Sequence, residues 1–380
     1  MNHCAKQVLR VTLVLAFGHS AFGQVESPCP ACYWKCPVSE RPDAKRAPGF
    51  VARIEGRYSR TQSGPGKPTW LVRDDNGPGD GYNTRRLRLN YTHHFNGEWA
   101  GFAHIRRDWG MDEFCLQDAY VTYGGWPAAN LTVGQMIVPF GREYPTADMK
   151  IPLAERSRAG VVLVPQRDVG LLFHNDKATD RVGWYAGLYT GNGIDDVGSD
   201  GTFLAAVRAE WLATDCLNIG ANWMRNDGPP ASPYQKLLKK NGQAYDLQPL
   251  YDTEALDEEG WGIDALYRRV GANVWAGYTR KRVSGPGTDI QADGWYIYGG
   301  KMLHIGEGSD RLELVLGHEQ LDPNTAVTDQ LDARWSWVGL NYHLDACRQW
   351  RLQYVIRDEA RDEVRNDTLI LQYEHVFRDI

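Results

Sequence analysis

The sequence predicts an all-β chain closed into a transmembrane antiparallel up-and-down β-barrel of about 16 strands. Three observations predict it. Apolar and polar residues alternate at period two in run after run, the spacing that sends one set to each face of a strand. The connections between runs are long and short by turns, as in bacterial outer-membrane barrels. No segment has the ~20 consecutive apolar residues that a spanning helix needs. A mean hydropathy of -0.49 resembles that of a soluble protein, but a barrel shows only alternate residues to lipid and reads as polar too.

Lys6 and Arg10, the apolar run Val11 to Phe17 and the small-residue end Ala21-Phe22-Gly23 have the order of a secretory signal peptide, residues 1–23. Residues 24–48 then form a Cys-rich segment expected in the periplasm, and residues 49–380 the barrel. Alternating runs begin near residues 50, 84, 98, 116, 130, 166, 182, 202, 217, 259, 270, 294, 311, 333, 349 and 368. With a periplasmic N-terminus, the connections 61–83, 139–165 and 227–258 are outer loops rich in Gly, Pro and charge. Asn96-Gly97, Arg269-Val270 and Asp345 to Gln349 are inner turns. Trp99, Trp109, Tyr123, Trp126, Trp184, Trp335, Trp337 and Trp350 stand near strand ends, where a membrane barrel carries its aromatic girdles. A secreted β-sandwich also alternates, but the undivided length and the alternation of connections favour the barrel.

Strand parity assigns one set of residues to the lumen. Phe50, Ala52, Ile54, Gly56 and Tyr58 face lipid, so Arg53 and Arg57 face inward, and the same count turns Arg86, Arg88, Arg106 and Arg208 inward as pore-lining residues. Glu55, Asp108, Asp118, Glu210, Asp264, Glu313 and Glu319 share that face, giving a lumen of mixed charge. The formal net charge of -6 provides no overall attraction for anions, although a local pore field is set by nearby groups. Lys236, Lys239 and Lys240 in the loop 227–258 are followed by Asp252, Glu254, Asp257, Glu258 and Glu259, the composition of a solvated, self-neutralising loop.

The cysteines are unusual. Cys29, Cys32 and Cys36 crowd ahead of the first strand, Cys216 and Cys347 fall in inner turns, and Cys115 lies near an outer strand end. Three readings stay open: disulfides from Cys29, Cys32 or Cys36 to Cys216 or Cys347 in an oxidising compartment, a metal or iron–sulfur site, or docking to a periplasmic redox partner. No Cys-x-x-Cys-His run for covalent haem is present, and no cofactor is expected. The histidines His93, His94, His104, His174 and His318 show no catalytic spacing. Gly191-Asn192-Gly193 and Gly285-Pro286-Gly287 read as turns, so an enzyme is not expected. Nothing basic and aromatic-interleaved points to nucleic acid.

The segment Gly134-Gln135-Met136-Ile137-Val138-Pro139-Phe140-Gly141-Arg142-Glu143-Tyr144 resembles the phosphate-selective porins O and P. Glu155-Arg156-Ser157, Arg167-Asp168-Val169-Gly170 and Gly191-Asn192-Gly193 follow in that family's order. Leu116 to Tyr123, Val338 to Tyr342 and Leu352 to Tyr354 are similar to others of its strands. The resemblance implies an outer-membrane diffusion channel for small solutes or anions, phosphate among them. It also implies a homotrimer in contact with lipopolysaccharide and a third outer loop folded inward to narrow the pore. Arg142, Lys150, Arg156 and Arg158 then become the constriction and anion-binding candidates. Two features depart from the family: the cysteine segment, and the residues Arg378-Asp379-Ile380 after the last aromatic, Phe377. The alternative reading is a barrel that sheathes or docks a cytochrome in electron transfer across the outer membrane.

Overall fold

The computed structural model describes residues 49–62, 81–109, 113–175, 181–194, 201–227, 256–285, 288–304, 311–328, 332–345, 347–360 and 365–378. The expected signal peptide, Cys29, Cys32 and Cys36 of segment 24–48, and most of the loops 61–83 and 227–258 lie outside them.

Sixteen strands follow one another: β1 (Gly49–Thr61), β2 (Gly81–His94), β3 (Trp99–Asp108), β4 (Glu113–Tyr123), β5 (Asn130–Ile137), β6 (Arg167–His174), β7 (Val182–Tyr189) and β8 (Leu204–Thr214). The second half is β9 (Leu217–Asn226), β10 (Asp257–Arg269), β11 (Ala272–Gly285), β12 (Thr288–His304), β13 (Arg311–Asp322), β14 (Ala333–His343), β15 (Arg348–Glu359) and β16 (Thr368–Arg378). Each pairs with its sequence neighbours, and β1 closes on β16 from Val51 opposite Arg378 to Thr61 opposite Thr368, so the sheet is a closed antiparallel barrel. All strand starts but one fall within three residues of the sequence expectation.

The exception is β12, which begins at Thr288 rather than near 294. β11 and β12 stay paired out to Gly285 opposite Thr288, and Arg282 clamps Asp289 through two hydrogen bonds of 2.7 Å. This hairpin is therefore tight at the end where long loops were expected, and the long–short alternation is less strict than the sequence implied.

Period two produces two unlike faces. On β1, Phe50, Ile54 and Tyr58 are exposed while Arg53, Glu55, Arg57 and Ser59 are buried. An apolar outside and a polar inside suit lipid around and water within. Inner turns use local chemistry: Asn96 Oδ1 accepts the N–H groups of Glu98 and Trp99, both at 2.9 Å, and Gly271 takes φ +71 between β10 and β11.

Of three register shifts in the ladders of the described residues, two bring an extra residue to the inner face. Glu55 pairs with Arg86 and Gly56 with Thr84, so Arg85 is an extra residue, and both Arg85 and Arg86 are buried. On β4, His104 pairs with Asp118 and Ile105 with Leu116, so Gln117 is extra and turns inward with Asp118. A bulge admits two consecutive residues to one face.

The aromatics divide. Trp99, Trp109, Trp126, Trp184 and Trp350 are exposed at the strand ends, as a girdle requires. Trp335 and Trp337 are not girdle residues: both are buried on the inward face of β14 with Ala333 and Asn341, where Leu153 and Trp337 lie together beside Gly317.

The connection 138–166 enters the barrel. On one side its Val138, Phe140 and Val164 join a buried cluster with Phe102, Tyr120, Met136, Leu172, Tyr185, Tyr189, Leu204 and Met224. On the other side, wall side chains hold its backbone. Gln353 donates to Pro152 O (2.8 Å) and accepts from Ala154 N (2.8 Å), Asn341 donates to Pro152 O (2.7 Å), and Arg351 donates to Leu153 O (2.6 Å). A three-residue 3₁₀ turn, Asp148–Lys150, and one short helix, α1 (Ala159–Val162), are its regular pieces.

Gly134 sits where β5 must approach β4 closely. Its φ is +130, and a Cβ there would collide with the Ala119 carbonyl oxygen and lie 2.8 Å from Tyr120 Cα. Gly134→Ala is expected to cost about 2–4 kcal/mol, the scale of backbone strain plus overpacking. A lower midpoint of guanidinium unfolding, followed by tryptophan emission, would show it.

Candidate functional site: an arginine-lined lumen

Between the inward segment and the wall of β1 to β4 lies a cavity of about 350 Å³. Among the described residues, seven arginines line it: Arg53 of β1, Arg85, Arg86 and Arg88 of β2, Arg106 of β3, Arg156 of the inward segment and Arg167 of β6. Four carboxylates line it with them, Asp118, Glu155, Asp168 and Glu258. The arginines come from neighbouring inward positions because β1, β2 and β3 are adjacent, with Arg53 opposite Arg88 and Arg88 opposite Arg106.

Ion pairs hold this crowd of cations together. Asp148 of the inward segment meets Arg86 at 2.9 Å and Arg53 at 3.5 Å, with Arg88 and Arg156 closer still. Glu155 meets Arg57, Arg86 (3.3 Å) and Arg85 (3.7 Å). Asp108 takes Arg85 and Arg86 (3.1 Å), and Arg53 reaches Glu55 (3.5 Å) and Glu374 (3.4 Å). Burial pushes the Asp148 carboxyl up, but Arg156, Arg53, Arg86 and Arg351 outweigh it and hold it well below the usual carboxylate range. Glu155 is likewise raised by burial, yet Arg57, Arg86 and Arg85 bring it down to about 2.

A second cluster fastens the start of the segment. Arg142 donates to Asp264 (2.7 Å) and Asn218 (2.8 Å), while Arg208 grips the same Asp264 at 2.6 and 2.9 Å and Glu210 at 2.8 Å. Within the segment, Glu143 accepts from Ser157 N (2.7 Å) and the Ser157 hydroxyl, stapling its two limbs together. Burial pushes the Glu143 carboxyl up, against those two hydrogen bonds.

The expected site residues therefore separate. Arg53, Arg86, Arg88, Arg106 and Arg156 line the cavity. Arg57 and Arg208 face inward but are fully buried, on Glu155 and Gln372 for the one and on Asp264 for the other. Arg142 is buried in the anchoring cluster, not at the cavity. Lys150 is exposed on the 3₁₀ turn, and Arg158 heads α1; neither lines the cavity.

Sequence parity missed Arg85, which only the bulge turns inward, although two adjacent arginines in an otherwise alternating run were a signal. It also missed Arg167, held by Asp118 at 3.0 Å, and Tyr144, which lies beneath both Arg156 (5.5 Å) and Arg167 (5.7 Å). Cys115 is buried on β4, and Cys216 and Cys347 stand in the β8–β9 and β14–β15 turns.

A closed barrel whose inner wall is charged and whose outer wall is apolar belongs in a bilayer, and comparison with known proteins specifies which kind. Residues 68–227 match the family described as phosphate-selective porin O and P. The matched stretch contains the whole inward segment and strands β2 to β9. Three solved porin-type structures share the fold. OmpTdeltaL8 of Vibrio cholerae, a loop L8 deletion mutant of an outer membrane protein, aligns at TM-score 0.57 and 10% identity, over 86% of this chain and 98% of that one. The OmpF of Salmonella typhi, in complex with daunomycin, aligns at 0.57 and 12%, over 86% and 97%. The outer membrane channel DcaP of Acinetobacter baumannii aligns at 0.54 and 13%, over 87% and 96%. At such identities the likeness is one of fold. No curated protein matches the chain in sequence. The chain is an outer-membrane β-barrel, and fold and family match together are those of a channel.

The depressed carboxyls give a pH dependence. Glu155 drops from an ordinary 4.5 to about 2 in the folded protein. Its contribution to fastening the segment is therefore complete above pH 4.5, declines as pH falls through that window and is gone below about 2. Single-channel current noise is expected to grow as pH falls from about 4.5 toward 2, as the segment loses this fastening.

Proposed function

We propose that this barrel is a diffusion channel for small anions, inorganic phosphate among them. The observation that carries the reading is the composition of the cavity wall, seven arginines against four carboxylates. Guanidinium groups offer planar forks matched to oxyanions and stay charged at any physiological pH. A narrow water path between low-dielectric walls concentrates their field. Arg53, Arg86, Arg88, Arg106 and Arg156 are assigned to contact the permeating ion. Arg57, Arg142 and Arg208 are assigned to position the segment that shapes the path, and Lys150 and Arg158 contribute through the field alone. The family match, which names phosphate selectivity, supports the same assignment.

The rival reading, a sheath around a haem-bearing partner, calls for an unobstructed lumen. The segment 138–166 is fastened across the lumen to β9, β10, β14 and β15, which speaks against it. A trimer embedded among lipopolysaccharide is the assembly we assign on the resemblance.

Reconstitution in a planar bilayer tests the proposal. A reversal potential taken under a potassium chloride gradient should favour chloride, and added phosphate should reduce the chloride current. Arg88→Gln and Arg106→Gln should each lower the anion-to-cation permeability ratio by about threefold. A folded barrel that prefers potassium, or that conducts nothing, would overturn the reading.

A further inference from the structure

The inward segment carries three carboxylates, and they are used differently. Glu143 is turned back on Ser157 within the segment. Asp148 and Glu155 both lie on the arginine wall, where a dissolved oxyanion would have to bind. Arg86 shows the consequence most plainly. Its Nη1 goes to Asp148 (2.9 Å), its Nη2 to Glu155 (3.3 Å) and its Nε to Asp108 (3.1 Å), so its fork is already spent on the chain's own oxygens. Arg88 and Arg156 also reach Asp148, and Arg57 and Arg85 reach Glu155.

We infer that Asp148 and Glu155 are specificity-determining residues: tethered anions that occupy the arginine site and keep its affinity for dissolved anions low. The inference rests on the anion-channel reading above. A carboxylate fixed to the wall on both sides of its own segment competes at a high effective concentration, on the order of millimolar or more, without having to be captured from solution. A free phosphate or carboxylate must displace it or make do with the remaining donors. Weak binding of that kind suits throughput, because an ion that binds tightly leaves slowly. Removing one tethered charge while keeping its shape should uncover an oxyanion site in which Arg53, Arg86, Arg88 and Arg156 share a single missing partner.

The alternative is that Asp148 only fastens the segment, and the choice of variants separates the two. Asp148→Asn removes the charge. Gln353→Ala instead removes hydrogen bonds to Pro152 O and Ala154 N and leaves the lumen charge unchanged. In planar bilayers, Asp148→Asn is expected to shift the reversal potential toward the chloride equilibrium value. It should also bring phosphate block of the chloride current to about tenfold lower concentration. Gln353→Ala is expected to raise current noise while leaving reversal potential and phosphate block as in the parent protein. The inference is overturned if Asp148→Asn leaves both readouts unchanged, or if Gln353→Ala reproduces its effects. Heat-modifiable migration on a gel shows whether each variant is a closed barrel, and Glu155→Gln supplies the same comparison if Asp148→Asn does not fold. A parent channel that prefers potassium would refute the anion-channel reading, while the direction of the Asp148→Asn shift would still decide this one.

Discussion

In hydrocarbon, each backbone N–H and C=O of a strand must find its partner within the protein, because no water is there to take its place. The pairing of β1 with β16 satisfies that demand for the two strands that would otherwise be edges. The other features follow from closure. Once all strands are paired around a ring, one side of every strand faces lipid and the other a common interior, and period two becomes a rule about solvent. Arginines and carboxylates that would be prohibitively expensive on the outside are then placed on the inside, close enough to neutralise one another.

That interior is filled unevenly. Where β3 to β9 face inward, aromatic and aliphatic side chains meet Val138, Phe140 and Val164 of the inward segment and pack as an apolar core. Near β14 and β15 the same segment is held by amides and a guanidinium that satisfy its backbone carbonyls. Among the described residues, the arginine-lined cavity lies against the β1 to β4 wall, with residues of β6 and β10 completing it, and β1 to β3 carry most of its arginines. The cavity is thus displaced to one side of the barrel. The segment that displaces it is located by apolar packing on one flank and by directional hydrogen bonds on the other.

Much of this was readable in the sequence, since alternation is a local property. The starts of β5, β7, β9, β13, β14 and β16 come directly from it, and so does the inward set that includes Glu55, Asp108 and Asp264. What was not readable depends on long-range contacts. Trp335 and Trp337 have the composition of a girdle, yet they point inward, a distinction made by the segment that fills the barrel beside them. Arg142 stands in a loop and looked available to an ion, but Asp264 and Asn218, far away in sequence, claim it. The inward turn of Arg85 required knowing that β2 holds one more residue than its pairing with β1 accommodates.

That extra residue has an evolutionary meaning. A bulge is an insertion absorbed by the pairing, so the strand on either side keeps its faces. At Arg85 and at Gln117 the lumen has gained a side chain without any exchange of lipid-facing for water-facing positions elsewhere. Gain or loss of a single codon there would alter the charge or bore of the pore while the wall around it stayed intact. The lining of such a barrel can therefore diversify by changes in length as well as by substitution, and relatives with different solutes need not differ in the scaffold that holds them.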